Sequence, residues 1–300
     1  MENLNKDVWL VGNKGMLGSD VETLLKEKGY NVWGTDKEVD ITDLKSLYEA
    51  NKDKSFDWII NCAAYTDVDK AEIEQDKAFR INVIGSRNVA IISEEMKAKL
   101  IYISTDYVFD GNLKLYQSYK EDDEKNPLSI YGLTKSISED VIKYQTDNYY
   151  ILRTSWLFGK NGKNFVKTML KLFQSQETVN VVCDQVGSPT YTKDLAFFIE
   201  AIIEQETGKD NFGTYHITNS FSCSWYDFAR QIYYAGKNIG LITKEVQINP
   251  ISSEIYKAIA KRPKNSRLDT SFFQQEYGIK PRSWINALDA YLDEIKQEGK

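Results

Sequence analysis

The sequence predicts an α/β protein: a doubly wound parallel sheet with a smaller C-terminal domain beside it. Three observations predict it. Short apolar runs alternate with amphipathic stretches of helix length through the first half of the chain, the rhythm of a parallel sheet covered on both faces. A glycine-rich loop directly follows the first apolar run. After about Trp156 the alternation loosens. We therefore expect a first domain over residues 1–155, with later segments returning to its sheet, and a second mainly over 156–300.

The elements follow in order. Val8-Trp9-Leu10-Val11 is continuously apolar, as a strand buried on both faces must be. A helix runs from about Ser19 to Lys28 and ends at Gly29. Asn31–Thr35 is the second strand. Thr42 can cap a helix reaching about Asn51, with Leu44 and Leu47 on one face. Asp57–Cys62 is the third strand, and Asp76–Met96 a long helix with Phe79, Val83 and Val89 inward. Leu100–Ile103 is the fourth strand, Ser129–Tyr144 a further helix and Tyr150–Arg153 a further strand. The polar stretch 110–128 between them is a lid or rim. Thr214–Ile217 reads as a strand carrying His216, which is expected to be structural.

Composition narrows the function. A chain of 300 residues with 42% hydrophobic side chains can bury a sizeable core. The net charge is −6 with no run of lysines or arginines, which argues against nucleic acid as a partner. Cys62, Cys183 and Cys223 are odd in number and form no CxxC pair, so neither a disulfide framework nor a zinc site is expected. Cys62 reads as a small buried hydrophobe. A lone histidine rules out a His-rich metal centre. No apolar run approaches the roughly 18 residues of a membrane span, and Met1–Asp7 is too polar for a signal peptide. The expected location is the cytoplasm.

Gly12, Gly15 and Gly18 stand between the first strand and the first helix. Glycines there permit a tight turn and a close approach of backbone to a pyrophosphate, which then faces free N–H groups at the helix start. No Gly-Lys-Ser/Thr follows, so a P-loop is excluded. Asp36 ends the second strand, 24 residues after Gly12. Its carboxylate can accept from the ribose hydroxyls of a dinucleotide and repels a 2′-phosphate, favouring NADH over NADPH. Lys37 softens that repulsion, so a preference is expected and not an exclusion.

Tyr131 and Lys135 lie four residues apart and share one helix face. A phenol with an ordinary pKa near 10 becomes a useful acid at neutral pH when an ammonium stabilises its phenolate. The fourth strand runs into Ser104-Thr105-Asp106, at the carboxyl edge where such sheets bind ligands. A Thr105 hydroxyl can polarise a substrate carbonyl there.

These blocks resemble the extended short-chain dehydrogenases, and among them the dTDP-4-dehydrorhamnose reductase family. The resemblance is carried by Gly12–Gly18, Asn61-Cys62-Ala63-Ala64-Tyr65-Thr66-Asp67-Val68-Asp69-Lys70-Ala71-Glu72 and Ser104-Thr105-Asp106-Tyr107-Val108-Phe109-Asp110-Gly111. It continues through Tyr131 with Lys135, Arg153-Thr154-Ser155-Trp156, Asp184-Gln185-Val186-Gly187-Ser188-Pro189-Thr190 and Arg262-Pro263-Lys264-Asn265-Ser266-Arg267-Leu268. It implies a Rossmann fold and a cytoplasmic reductase in dTDP-rhamnose and polysaccharide biosynthesis. The expected reaction reduces the C4 keto group of dTDP-4-dehydro-L-rhamnose with NADH, or NADPH, to give dTDP-L-rhamnose. Tyr131 would donate the proton, Lys135 lower its pKa and grip the ribose, and Thr105 polarise the carbonyl. Gly15, Met16, Leu17, Asp36, Asp40, Ile41, Ala64, Tyr65 and Thr66 would line the cofactor, with Gly12, Gly18 and Ala63. Asp106 and Trp156 would touch the sugar nucleotide.

Arg262 and Arg267 can clamp its diphosphate, since guanidinium recognises phosphate in a fork. Tyr107 stands where related dehydratases carry a second carboxylate, which disfavours dehydration. Asp67, Asp69 and Glu72 do not promise the convergent oxygens magnesium needs, so no metal is expected. Lys193 stands where some relatives place a carboxylate in a metal-bridged dimer. A homodimer stays open. Alternatives are an epimerase or reductase on another nucleotide sugar, and a non-catalytic subunit like the regulatory subunit of methionine adenosyltransferase.

Overall fold

The computed structural model describes residues 6–114, 116–206 and 211–298; Met1–Asn5, part of the stretch judged too polar for a signal peptide, lies outside them. Strand β1 (Asp7–Val11) is buried beyond its first residue and leads to helix α1 (Met16–Glu27). The helix starts three residues before Ser19. Gly12 at φ 79° turns the chain sharply, and extended Gly15 serves as N-cap. β2 (Asn31–Thr35), α2 (Leu44–Asn51) and β3 (Trp58–Asn61) follow. Asp43 caps α2 in place of Thr42. Its carboxylate accepts from the Lys45 N–H at 3.0 Å, because the helix starts at Leu44, one residue further on.

The helix expected over 76–96 runs without a gap but changes its winding midway. After α3 (Val68–Ala71) come α4 (Gln75–Phe79), a π-helical stretch Arg80–Gly85 and α5 (Ser86–Met96). A π turn takes up extra residues and rotates the faces before and after it relative to each other. Phe79 is therefore 41% exposed, while Val83 and Val89 are buried as expected. β4 (Lys99–Thr105) ends in a 3₁₀ turn, Asp106–Val108. Ser129 caps α6 (Ile130–Gln145) through the Gly132 N–H, and β5 (Tyr149–Thr154) follows.

The later chain contains β6 (Leu157–Phe158), α7 (Phe165–Ser175), β7 (Thr178–Val182), β8 (Val186–Gly187), β9 (Thr190–Tyr191), α8 (Thr192–Gln205) and β10 (Gly213–His216). It closes with β11 (Cys223–Ser224), α9 (Trp225–Asn238), β12 (Gln247–Ile251), α10 (Ser253–Tyr256), α11 (Ser271–Tyr277) and α12 (Trp284–Glu298).

The main sheet has the order β10-β5-β4-β3-β1-β2, with every pairing parallel. The chain leaves β1 towards β2 on one side and then returns to β3 on the other, so the strand order reverses at the carboxyl ends of β1 and β3. That reversal opens the crevice in which such sheets bind ligands. One face is sealed by α1, α8 and α11, which bury Val21, Leu25, Ile199, Ile202 and Phe273 with the strands. The other is sealed by α2, α5 and α6 through Leu47, Val89 and Ile142. A separate apolar core joins α7, α9 and α12 around Phe158, Phe173, Phe228 and Tyr291. The segments that return to the sheet are thus α8, β10 and α11.

His216 is fully buried on β10, between Arg153 at 3.2 Å and the Tyr119 carbonyl at 3.0 Å. Burial, with Arg153 adding to it, pushes its pKa down to about 3, so it stays neutral and acts structurally. The rim after β4 is pinned. Asn265 donates to the carbonyls of Lys114 and Gln117, and Tyr119 stacks on Phe109 at 4.1 Å.

Candidate active site

The glycine loop forms one wall of a cavity of about 440 Å³ at the reversal point. Gly12 donates to the Thr35 carbonyl at 2.6 Å, which draws the loop onto β2. A Cβ on Gly12 would lie 2.8 Å from the Ala63 nitrogen, so glycine is what lets β1 and β3 approach here. The helix behind the loop has no side-chain cap and no acidic residue in its first turn. Uncapped N–H groups, a helix dipole and Lys14 beside a cavity fit a pyrophosphate.

Seven expected cofactor residues line this cavity: Gly12, Gly15, Asp36, Asp40, Ile41, Ala63 and Ala64. The others stand elsewhere. Leu17 points into the core, because the earlier helix start turns it beneath the sheet. Gly18 lies behind the turn, where a Cβ would meet the Gly12 carbonyl oxygen at 2.1 Å. Met16 faces Asn164, whose Nδ2 is 3.8 Å from its sulfur. Tyr65 is clamped through its backbone by Asn82, and Thr66 is exposed. Lys14, Val39, Thr42 and Ile81 also line it and were not expected there. Of these, Lys14 was detectable from its place inside the glycine loop. Cys62 also lines the cavity, and burial pushes its thiol up to about 12, so it is no nucleophile.

Thr105 ends β4 and donates to Asp106 Oδ1 at 3.0 Å. Asp106 is buried with Oδ2 unpartnered. Burial pushes its carboxyl up to about 6, against hydrogen bonds from Ser266 and Thr105. The Tyr131 hydroxyl reaches Thr105, and its ring packs edge-on against Tyr107 at 5.5 Å. Burial raises its pKa; the Thr105 hydrogen bond opposes this and the Asp106 carboxylate adds to it.

The Lys135 ammonium is engaged at β4 in this structure. It is buried, donates to the Ile103 carbonyl at 2.6 Å and sits 4.0 Å over the Tyr102 ring. Burial pulls Lys135 down to about 7, with Glu139 pushing back up. Glu139 was not singled out from the sequence. It accepts from Arg153 at 2.9 and 2.8 Å and from Ser104 at 2.5 Å, with both charges buried. One carboxylate thus ties the catalytic helix to β4 just before Thr105 and to β5 just before Trp156.

Trp156 holds φ 49° and stacks on Trp225 at 3.5 Å. A Cβ on Gly187 would be 2.5 Å from the Trp156 ring, so the indole is slotted between a glycine and a second indole. Trp225 went unnoticed in the sequence. The two arginines do not form one clamp. Arg262 gives a hydrogen bond of 2.8 Å to Asp69 and lines a cavity of about 330 Å³ with Asp110 and Lys257. Arg267 lines a different cavity, of about 760 Å³. The acidic group disperses too: Asp67 caps α3, Asp69 takes Arg262, and Glu72 accepts from the Ile130 N–H at 2.8 Å. Lys193 pairs with Glu294 at 2.7 Å. No helix among the described residues is long and apolar enough to cross a membrane.

A parallel sheet reversing at a glycine loop, with a Tyr-x-x-x-Lys helix beside a threonine at the strand rim, defines an extended short-chain dehydrogenase with a Rossmann fold. The chain belongs to the family described as RmlD substrate binding domain, whose model matches residues 6–297. It is 42% identical to the spore coat polysaccharide biosynthesis protein SpsK of Bacillus subtilis (strain 168), over 96% of this chain and 97% of that one. It is 40% identical to a dTDP-4-dehydrorhamnose reductase of Aggregatibacter actinomycetemcomitans, over 93% of this chain and 96% of that one. Among solved structures it resembles dTDP-4-dehydrorhamnose reductase from Bacillus anthracis str. Ames in complex with NADP. The TM-score is 0.90 at 39% identity, covering 97% of this chain and 100% of the other.

Proposed function

We propose that the protein reduces the C4 keto group of dTDP-4-dehydro-L-rhamnose to give dTDP-L-rhamnose, using NADH or NADPH. The observation that carries this reading is Tyr131 set beside Thr105 and Tyr107 at the end of β4, in a chain whose relatives carry that activity in their names. A reduced nicotinamide supplies the hydride when bound. Gly12, Gly15, Lys14 and the start of α1 hold its pyrophosphate, and Asp36 its adenosine ribose. Asp36 favours NADH, while Lys14 and Lys37 beside it keep NADPH usable.

Thr105 turns its hydroxyl from Asp106 to the substrate carbonyl oxygen. Tyr131 gives its proton to the alkoxide as it forms, and burial keeps that phenol protonated beforehand. Lys135 leaves the Ile103 carbonyl to hold the nicotinamide ribose and stabilise the phenolate that Tyr131 becomes. Asp106 and Trp156 face the sugar, and Arg262 takes a phosphate in the cavity it shares with Lys257. Residues 1–155, with α8, β10 and α11, form the cofactor-holding unit; the rest of 156–300 holds the sugar nucleotide. The enzyme works in the cytoplasm and can form a homodimer.

The test supplies dTDP-4-dehydro-L-rhamnose, made in situ, and follows NADH loss. Turnover is expected with the wild type, and a fall of about 100-fold or more with Tyr131→Phe, the scale of general acid catalysis. Equal rates would remove Tyr131 from the mechanism. A second reading, reduction of a different dTDP-keto-sugar, is favoured by one relative. The dTDP-4-keto-6-deoxy-D-glucose reductase of Streptomyces niveus is 35% identical over 94% of this chain and 95% of its own. Comparing kcat/KM for the two sugars separates the readings.

A further inference from the structure

Arg267 carries a charge that the proposed reaction does not use. Arg262 has a carboxylate partner in Asp69, but neither an ion pair nor a hydrogen bond reaches the Arg267 guanidinium among the described residues. Its Nε is buried without a partner. A cation drawn partly out of water with no counter-charge is costly, and such groups normally face an anion. Arg267 faces the cavity of about 760 Å³ between the loop 218–222, α11 and the amino end of α12. Lys280 and Arg282 line the same cavity and no Asp or Glu does, although the chain as a whole carries −6. Asp194 holds Arg282 at 2.8 and 2.7 Å, whereas Lys280 has no partner among the described residues.

The rest of the wall points to the ligand class. Ser283 and Asn286 stand at the start of the 15-residue α12, where the helix dipole adds to the positive potential. Hydroxyls of Thr218, Ser220 and Ser222 supply neutral hydrogen-bonding groups. Phe221 stands among them, 76% exposed and at φ 69°, a backbone conformation that an aromatic residue rarely holds. The volume is within the usual range for small-molecule sites.

We propose that this cavity is a second ligand site, separate from the dinucleotide crevice and from the Arg262 cavity, and that it takes a nucleoside diphosphate. Its phosphates lie on Arg267 and Lys280, and its base packs on Phe221. The site adjoins the reductase centre through the chain: Arg267 follows Ser266, which stands beside Asp106. The loop 218–222 continues through β11 to Trp225, stacked on Trp156. The proposal does not rest on the reductase reading.

Calorimetric titration of the NADPH-saturated protein with dTDP tests it, with inorganic pyrophosphate as the bare-anion arm. The expected result is a dTDP site weakened about 10-fold or more by Lys280→Gln, the loss of one charge-assisted hydrogen bond. Arg262→Gln leaves this site unchanged. Phe221→Ala weakens dTDP and leaves pyrophosphate alone. Three results would overturn the proposal: no dTDP site sensitive to Lys280→Gln; dTDP binding indifferent to Phe221→Ala; or a KM for the sugar nucleotide that rises in step in Lys280→Gln, which would make the cavity the substrate's own. If the reductase reading fails and this one holds, turnover is absent but the Lys280-sensitive site remains.

Discussion

Glu139 and Arg153 meet fully buried one helical turn beyond Lys135, and each satisfies the other through two hydrogen bonds. Removing one partner leaves a buried unpaired charge. Glu139→Ala should therefore cost about 3–5 kcal/mol in urea unfolding, and Glu139→Leu with Arg153→Met should recover most of it. A loss under about 1 kcal/mol would mean that water reaches the pair. Asp106 makes a pH-dependent prediction. Burial raises its folded-state pKa from 3.8 to about 6, so the folded protein holds this proton more tightly than the unfolded chain. The associated stability is complete below about pH 4 and is lost as pH rises through about 6. Asp106→Asn should gain on the wild type by roughly 2.4 kcal/mol between pH 4 and pH 7; denaturant melts at both values that differ by a constant amount would contradict this. At this scale the sequence showed residue types and spacings. Tyr131 and Lys135 were visible as a pair on one helix face, but whether the ammonium turns to the phenol or to Ile103 depends on a strand about 30 positions away.

Helix α1 and the loop before it act as one device. Gly18 lets the first turn lie against the Gly12 carbonyl, and a methyl group there would sit 2.1 Å from that oxygen. Gly18→Ala should therefore displace the loop and weaken NADPH at least about 10-fold by fluorescence titration. Unchanged affinity would show that the loop can move aside. Strand and helix rhythm through the first half was readable because each element buries a continuous apolar face. The π-helical stretch at Arg80–Gly85 was not, because an inserted residue leaves composition unaltered while rotating everything before it. That stretch has a use: it presents Asn82, fully buried, to Tyr65 on one side and to Thr134 of α6 at 2.9 Å on the other.

Over the whole molecule, the site is a junction of the sheet with the chain that follows it. The strand-order reversal was legible in the first three strands. The return of α8, β10 and α11 to the sheet was only foreshadowed, because those contacts span the chain and leave no local period. Cofactor binding across the reversal should stabilise the native state by mass action. NADPH at 100 times its Kd should add about 2.7 kcal/mol, read as a rise in melting temperature that Gly12→Ala abolishes. Gly12 is the test position because it combines φ 79° with the 2.8 Å approach to Ala63. The most direct measurement of the function follows the hydride itself. With NADPH deuterated at C4 on the face the enzyme uses, dTDP-4-dehydro-L-rhamnose should become dTDP-L-rhamnose carrying one deuterium at sugar C4, seen by NMR and mass spectrometry. Unchanged substrate, or product without deuterium at that carbon, would contradict it.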